Sequence, residues 1–173
     1  MKRNPKERLS ELLSKPKFFR TTRFLVVVMG VVALVAVPTL TFYGMGYNSV
    51  NGTAVQLVSG YRSPRNGYVD TFYLEIHVWS YATSLDTRIS EPLFSLAVDS
   101  LPFATLATSS GTWQTNGFAT YNLKFSTFDS TVAVAIGQST TNHLVLSVTG
   151  AVSAGLFSEA LTRSDSVKWT FST

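Results

Sequence analysis

The sequence predicts an all-β domain, an antiparallel sandwich of about seven strands with room for one short helix, carried behind a single N-terminal transmembrane helix. Three observations predict it. An uncharged apolar run of 24 residues extends from Phe24 to Tyr47. At about 1.5 Å per residue it is long enough to cross a hydrocarbon core of about 30 Å. Beyond that run, apolar residues recur at every second position in short stretches separated by Gly, Asn and Ser turns. The same region is rich in Ser, Thr and aromatics and poor in Lys and Glu, a composition that suits strands.

The chain divides into a basic tail (1–23), the transmembrane helix (24–47), a linker (48–69) and the sandwich (70–173). Eight cations precede the apolar run: Lys2, Arg3, Lys6, Arg8, Lys15, Lys17, Arg20 and Arg23, against Glu7 and Glu11. This asymmetry places the N-terminus inside the cytoplasmic membrane and the C-terminal domain outside, with the lipid bilayer as first partner. The formal net charge of +4 therefore describes the tail. From residue 48 onward six basic residues face eight acidic ones. No basic stripe interleaved with aromatics is present, so nucleic acid is not an expected partner. The chain has no cysteine, which removes disulfides, thiolate metal sites and thiol catalysis.

Within the tail, Asn4 can cap a helix, Pro5 suits its first position and Glu7 can close the capping box. Leu9, Leu12 and Leu13 share one face, and Lys15-Pro16-Lys17 ends the segment. Two readings stay open: an amphipathic helix lying on the anionic inner leaflet, or a solvated tail. In the apolar run, Pro38 is expected to bend the helix. Tyr43 and Tyr47 fall where an outer aromatic belt belongs, and Gly44 and Gly46 are expected to mark the helix end. Gly30 has Leu34 four residues on, so no close-packing helix pair is indicated. A cleaved signal peptide is the rival reading, but it expects a shorter apolar core and a better cleavage site than Val35-Ala36-Val37-Pro38.

The linker is rich in turn pairs: Asn48-Ser49, Asn51-Gly52, Ser59-Gly60, Ser63-Pro64 and Asn66-Gly67, with Ala54 to Val58 as a short strand. Asn51-Gly52-Thr53 makes Asn51 a candidate glycosylation site. After Asp70, Phe72, Leu74, Ile76 and Val78 point to one face, and Tyr73, Glu75, His77 and Trp79 to the other. A second strand holds Phe94, Leu96 and Val98. It is followed by Asp99-Ser100 as a turn or bulge and by Leu101-Pro102-Phe103. A third alternates Tyr121, Leu123 and Phe125 with polar residues. Val132 to Ile136, continuously apolar, is read as a central strand. Leu144, Leu146 and Val148 give another, and Val167, Trp169 and Phe171 the last. Ala151 to Leu161 fits a bulged strand or a short helix.

Four segments together resemble the water-stress and hypersensitive-response domain of the late embryogenesis abundant (LEA) group 2 type. They are Leu74-Glu75-Ile76-His77-Val78, Ile89 to Val98 (ISEPLFSLAV), Gly117 to Phe125 (GFATYNLKF) and Leu144 to Gly150 (LVLSVTG). The resemblance runs from about Asp70 to Thr173. It departs after the first strand, where family members carry an Asn-Pro turn and this chain has Ser80-Tyr81-Ala82-Thr83. The resemblance implies a seven-stranded sandwich with one helix, no enzyme activity, no cofactor and no catalytic residues.

The residues themselves assemble no catalytic constellation. Glu75 and His77 lie at i and i+2 and, with distant His143, have the donor types of a zinc site. Their position on a solvent-facing strand face accounts for them without a metal, and none is assigned. Val152-Ser153-Ala154-Gly155 lacks the first glycine of a nucleophile elbow. Asp86, Arg88, Glu91 and Asp99 are too sparse for a calcium loop and read as a solvated face. Trp79, on the Glu75/His77 face, and Trp113, in a Ser/Thr/Gly segment, are the candidate contact residues. The expected function is non-enzymatic: an envelope protein acting in a structural or stress-protective role. The alternative is an accessory subunit or glycan-binding module of a surface complex. A membrane or envelope protein is the expected partner, and no small-molecule substrate is inferred.

Overall fold

The computed structural model describes residues 16–65, 67–82, 85–114 and 116–171. The amphipathic segment expected around Leu9 to Leu13 lies outside them. A helix, α1, runs Pro16–Asn51, and the chain divides into two compact units between Thr41 and Phe42.

In the first unit the described residues are helical throughout, with exposed apolar side chains such as Leu34 and Val35. Pro38 sits inside the helix and cannot donate to the Leu34 carbonyl. Two hydroxyls reinforce the helix around it: Thr39 Oγ1 donates to the Val35 carbonyl and Thr41 Oγ1 to that of Val37, both at 2.8 Å. This helix exceeds the expected 24–47 span at both ends. Gly44 and Gly46 do not terminate it, and it closes where the Gly52 N–H reaches the Asn48 carbonyl.

Among its described residues the second unit holds the end of α1, eight antiparallel strands and one short helix. The strands and the short helix are β1 (Thr53–Arg65), β2 (Tyr68–Ser80), β3 (Thr87–Val98), β4 (Leu101–Ala107), β5 (Gly111–Trp113), β6 (Ala119–Ser126), α2 (Ser130–Gly137), β7 (Thr141–Ala154) and β8 (Phe157–Thr170). One sheet has the order β1-β2-β6. The other has the order β4-β3-β7-β8, with β5 beside β3. The alternation read from the sequence sets the core: Phe72, Leu74, Ile76 and Val78 of one sheet face Phe94, Leu96, Val98, Leu144, Leu146 and Val148 of the other, all buried. Aromatic rings join the sheets, Phe72 meeting Phe103 edge-on at 5.1 Å and Phe94 meeting Tyr121 at 5.0 Å.

Three segments differ from expectation. Most of the supposed linker is β1, thirteen residues paired along β2. Its alternation breaks at register shifts after Leu57 and Arg62, so a simple period-two reading stops at Val58. Val132 to Ile136 is helical. Asp129 caps it, one carboxylate oxygen accepting the N–H groups of Thr131 and Val132. Only Ala133 and Ile136, three residues apart, are buried. An apolar run this short carries no period that separates strand from helix. Ala151 to Leu161 is the turn of the β7–β8 hairpin, with Ala154 opposite Phe157.

Tight turns confirm the punctuation. Asp99 and Ser100 both have positive φ (50° and 69°), the two-residue geometry that follows strand twist, and join β3 to β4. In β3, Pro92 sits at a register shift against β7, where a missing N–H is tolerated.

Along one side, β1 and β8 are the outer strands of their sheets and side chains bridge them. Asp165 Oδ2 accepts the Leu57 N–H at 2.8 Å, and Arg163 Nε donates to the Thr53 carbonyl at 2.9 Å. Trp169 enters where Gly60 has no side chain; a Cβ there would come within 2.6 Å of the indole and of Leu74.

Candidate functional site

The outward positions of the three-stranded sheet bring together side chains from all three strands. Tyr61 of β1 stands opposite Tyr73 of β2, and the rings stack at 4.5 Å, 13° from parallel. Ser59 Oγ donates to Glu75 Oε2 at 2.8 Å, and Glu75 Oε1 meets His77 Nε2 at 3.1 Å. His77 stacks on Phe118 at 4.0 Å. Trp79 meets Tyr81 edge-on at 5.8 Å. From β6, Lys124 reaches over the Tyr73 ring at 5.8 Å. Two shallow depressions lie on this face. One of about 500 Å³ is lined by Ser59, Tyr61, Tyr73, Glu75, Asn122 and Lys124. The other, of about 280 Å³, is lined by Gln56, His77, Trp79 and Phe118. Six residue steps on β2 separate Tyr73 from Trp79, about 20 Å of strand.

The electrostatics of the face are mild. The Ser59 hydrogen bond, followed by that of His77, holds the Glu75 carboxyl below the usual carboxylate range. Glu75 and Lys124 bring one charge of each sign. Such a face presents ring surfaces and scattered hydrogen-bonding groups rather than a field. Among the described residues no group of three or more His, Asp or Glu is placed to hold a metal. His77 lies in the three-stranded sheet and His143 in the other, so the donor types noted in the sequence do not converge.

Trp79 is half-buried on the outer face. Trp113 is not on it, and this corrects its place as a contact residue. It is 2 % exposed, because Gly111–Trp113 pairs with β3, Thr87 opposite Trp113, and turns the indole into the core. Its hydroxyl-rich neighbours suggested a surface loop; strand pairing overrides that composition. The indole Nε1 and the nearby Tyr121 hydroxyl are buried without hydrogen-bond partners, and burial pushes the Tyr121 phenol up to about 12.

Asn51 is the last residue of α1, its amide donating to the Tyr47 carbonyl at 3.1 Å. Thr53, the third residue of that sequon, is buried and donates to the Ser49 carbonyl.

A second polar cluster ties the sheets together elsewhere. Arg62 Nη1 donates to the Ser139 carbonyl and to Asn142 Oδ1, both at 2.6 Å. Asn142, fully buried, donates to Asp99 Oδ2 at 2.7 Å. The guanidinium lies over the Phe171 ring. Desolvation lowers the Arg62 pKa, and Asp99 works against that shift. The cluster joins Arg62, Ser139, Asn142 and Asp99 to one another, while Arg62 Nε is buried without a partner.

Of the aromatic face, sequence reasoning supplied Tyr73 and Trp79 through the period-two pattern. It missed Tyr61, hidden behind the β1 register shift, and Phe118, which precedes β6 in an irregular segment.

No family model matches the chain, and no curated protein matches it. Among solved structures, a crystal structure of a protein from Archaeoglobus fulgidus superposes with a TM-score of 0.42 at 9% identity, covering 69% of this chain and 99% of that one. A solution structure of a candidate late embryogenesis abundant (LEA) protein superposes with a TM-score of 0.48 at 11% identity, covering 93% of this chain and 88% of that one.

Proposed function

We propose that this chain is a single-pass, membrane-anchored, non-enzymatic protein that holds a LEA-like β-sandwich outside the cytoplasmic membrane and works by contact. The observation that carries the reading is the helix from Thr21 to Asn51, 31 residues with an apolar window of which none is buried. That much apolar surface is stable in lipid and costly in water. The cation excess before it supplies the orientation. The role follows the motif resemblance, whose segments fall on β2, β3, β6 and β7. Protease added to sealed cells should remove the β domain while the tail stays protected. Survival of the domain until the cells are opened, or a purified chain beginning after Pro38, refutes the anchor.

The aromatic outer face of the three-stranded sheet favours a second reading within the same frame: an accessory or ligand-binding module, with a membrane protein or surface glycan as its partner. Exposed Tyr61, Tyr81 and Phe118 give it the ring surface that contact sites use. A photo-crosslinker at Tyr61 in intact membranes should capture a defined partner. One at Ser147, on the other sheet, should not.

A further inference from the structure

The β7–β8 hairpin turns at Gly155 and Leu156. Leu156 is 93% exposed. Phe157, next to it, meets the edges of Tyr43 and Tyr47 on α1 at 5.4 and 5.3 Å. Contact this close depends on Gly46, where a Cβ would come within 2.6 Å of the Ala154 carbonyl oxygen. Farther along β8, Arg163 donates to the carbonyls of Asn51 and Thr53.

These contacts fix a direction. Phe157 lies beside Tyr43 and Tyr47, and Arg163 lies beside Asn51. The strand from 157 to 163 therefore runs in the sense of the helix from 43 to 51. About 20 Å of strand lies alongside about 12 Å of helix. The turn that precedes Phe157 consequently points back along α1, toward Phe42. Leu85 Cδ1 sits close by Gly155, adding apolar surface behind the turn. From Ala151 to Ser158 the hairpin carries no ionisable side chain. The first, Glu159, is exposed and stands about 10 Å up the strand from Leu156.

We propose that the Gly155–Leu156 turn is a lipid-contacting foot, which sets Leu156 into the headgroup–acyl boundary of the outer leaflet, braced by Phe157 against Tyr43 and Tyr47. The inference rests on the membrane-anchored reading above. Tyr43 and Tyr47 are the aromatic residues suited to that boundary, and the turn adjoins Phe157, which touches both. The occupant is a neutral bilayer surface, because the tip from Ala151 to Ser158 offers apolar groups and no cation for an anionic headgroup. The domain then meets the membrane at a second point besides its helix, and that contact fixes its stance.

The chain has no cysteine, so single replacements give unique labelling sites. Leu156→Cys, Phe128→Cys and Val35→Cys, each carrying a nitroxide in the full chain, are reconstituted in phosphatidylcholine vesicles. Collision with oxygen, which partitions into lipid, is compared with collision with a water-soluble nickel chelate. Phe128 is fully exposed and follows β6 near Thr71, whereas Ser80 at the other end of β2 bonds Ser49 of the helix; about 30 Å of strand separates the two. Label 128 should be nickel-dominated, label 35 oxygen-dominated, and label 156 oxygen-dominated at a depth of about 5–10 Å. If 35 meets oxygen and 156 behaves like 128, the foot is wrong and the anchor stands. If 35 meets nickel, anchor and foot fall together. Shielding of 156 from both reagents, or lipid contact by 156 only after anionic lipid is added, also overturns the foot.

Discussion

The two sheets are alike on the inside and unlike on the outside. Inward, each contributes a row of Phe, Leu, Ile and Val to one core, and Phe72 and Phe94 are both fully buried. Outward, the three-stranded sheet shows stacked rings with a few charges. The larger sheet shows aligned hydroxyls: Thr105, Ser95, Ser147 and Ser164 stand in register across β4, β3, β7 and β8, with Ser95 and Thr105 joined at 3.1 Å. Period-two alternation dictates only that the outward residue need not be apolar. What it is instead differs between the sheets: stacked rings on one, aligned hydroxyls on the other.

The largest effects should ignore the difference between the faces. Phe72→Ala and Phe94→Ala should each destabilise the domain by about 3–5 kcal/mol, measured by denaturant unfolding of the full chain in micelles. A large cost for one and a small cost for the other would mean that the sheets do not share a core. Next comes Arg62→Ala, which strips the buried Asn142 amide of its donor and should cost about 2–3 kcal/mol; Arg62→Lys should recover only part of it.

The outer faces should then separate. Tyr73→Ala loses the Tyr61 stack and should cost about 1 kcal/mol, while Ser147→Ala should stay within about 0.5 kcal/mol of the parent. Equal costs would erase the comparison.

Two pH experiments sharpen it further. Tyr121 holds a neutral phenol, raised from 10.0 to about 12 by burial. Its contribution is whole below pH 10 and is lost as pH rises through 12. Tyr121→Phe should therefore gain stability relative to the parent between those values, and a hydroxyl buried without a partner costs little to remove at neutral pH. The smallest effect belongs to Glu75, whose folded carboxyl titrates below its ordinary range. Its contribution is present above that range and is lost as pH falls through the lowered value. Glu75→Gln should flatten the slope of stability against pH as pH falls below the ordinary carboxylate range.

Much of the architecture was legible because it rests on period. Phe72 to Val78, Phe94 to Val98, Tyr121 to Phe125 and Leu144 to Val148 are all strands whose alternation matches their burial. What was not legible depended on information outside the local pattern. The register shift after Leu57 concealed most of β1 and with it Tyr61. The Val132 to Ile136 run became a helix through the Asp129 cap and the spacing of Ala133 and Ile136. Trp113 went inside because β3 offered it a partner strand, which no reading of Ser109 to Gln114 contains. The aromatic face was half visible: Tyr73 and Trp79 from alternation, Tyr61 and Phe118 only from folding.

Asp165 and Arg163 occupy backbone groups on β1 that would otherwise be open for pairing. A strand whose amide at Leu57 and carbonyl at Thr53 are already engaged offers an arriving copy no ladder to extend on that flank. The same residues that close the sandwich thus leave neither group free for a second copy to pair with.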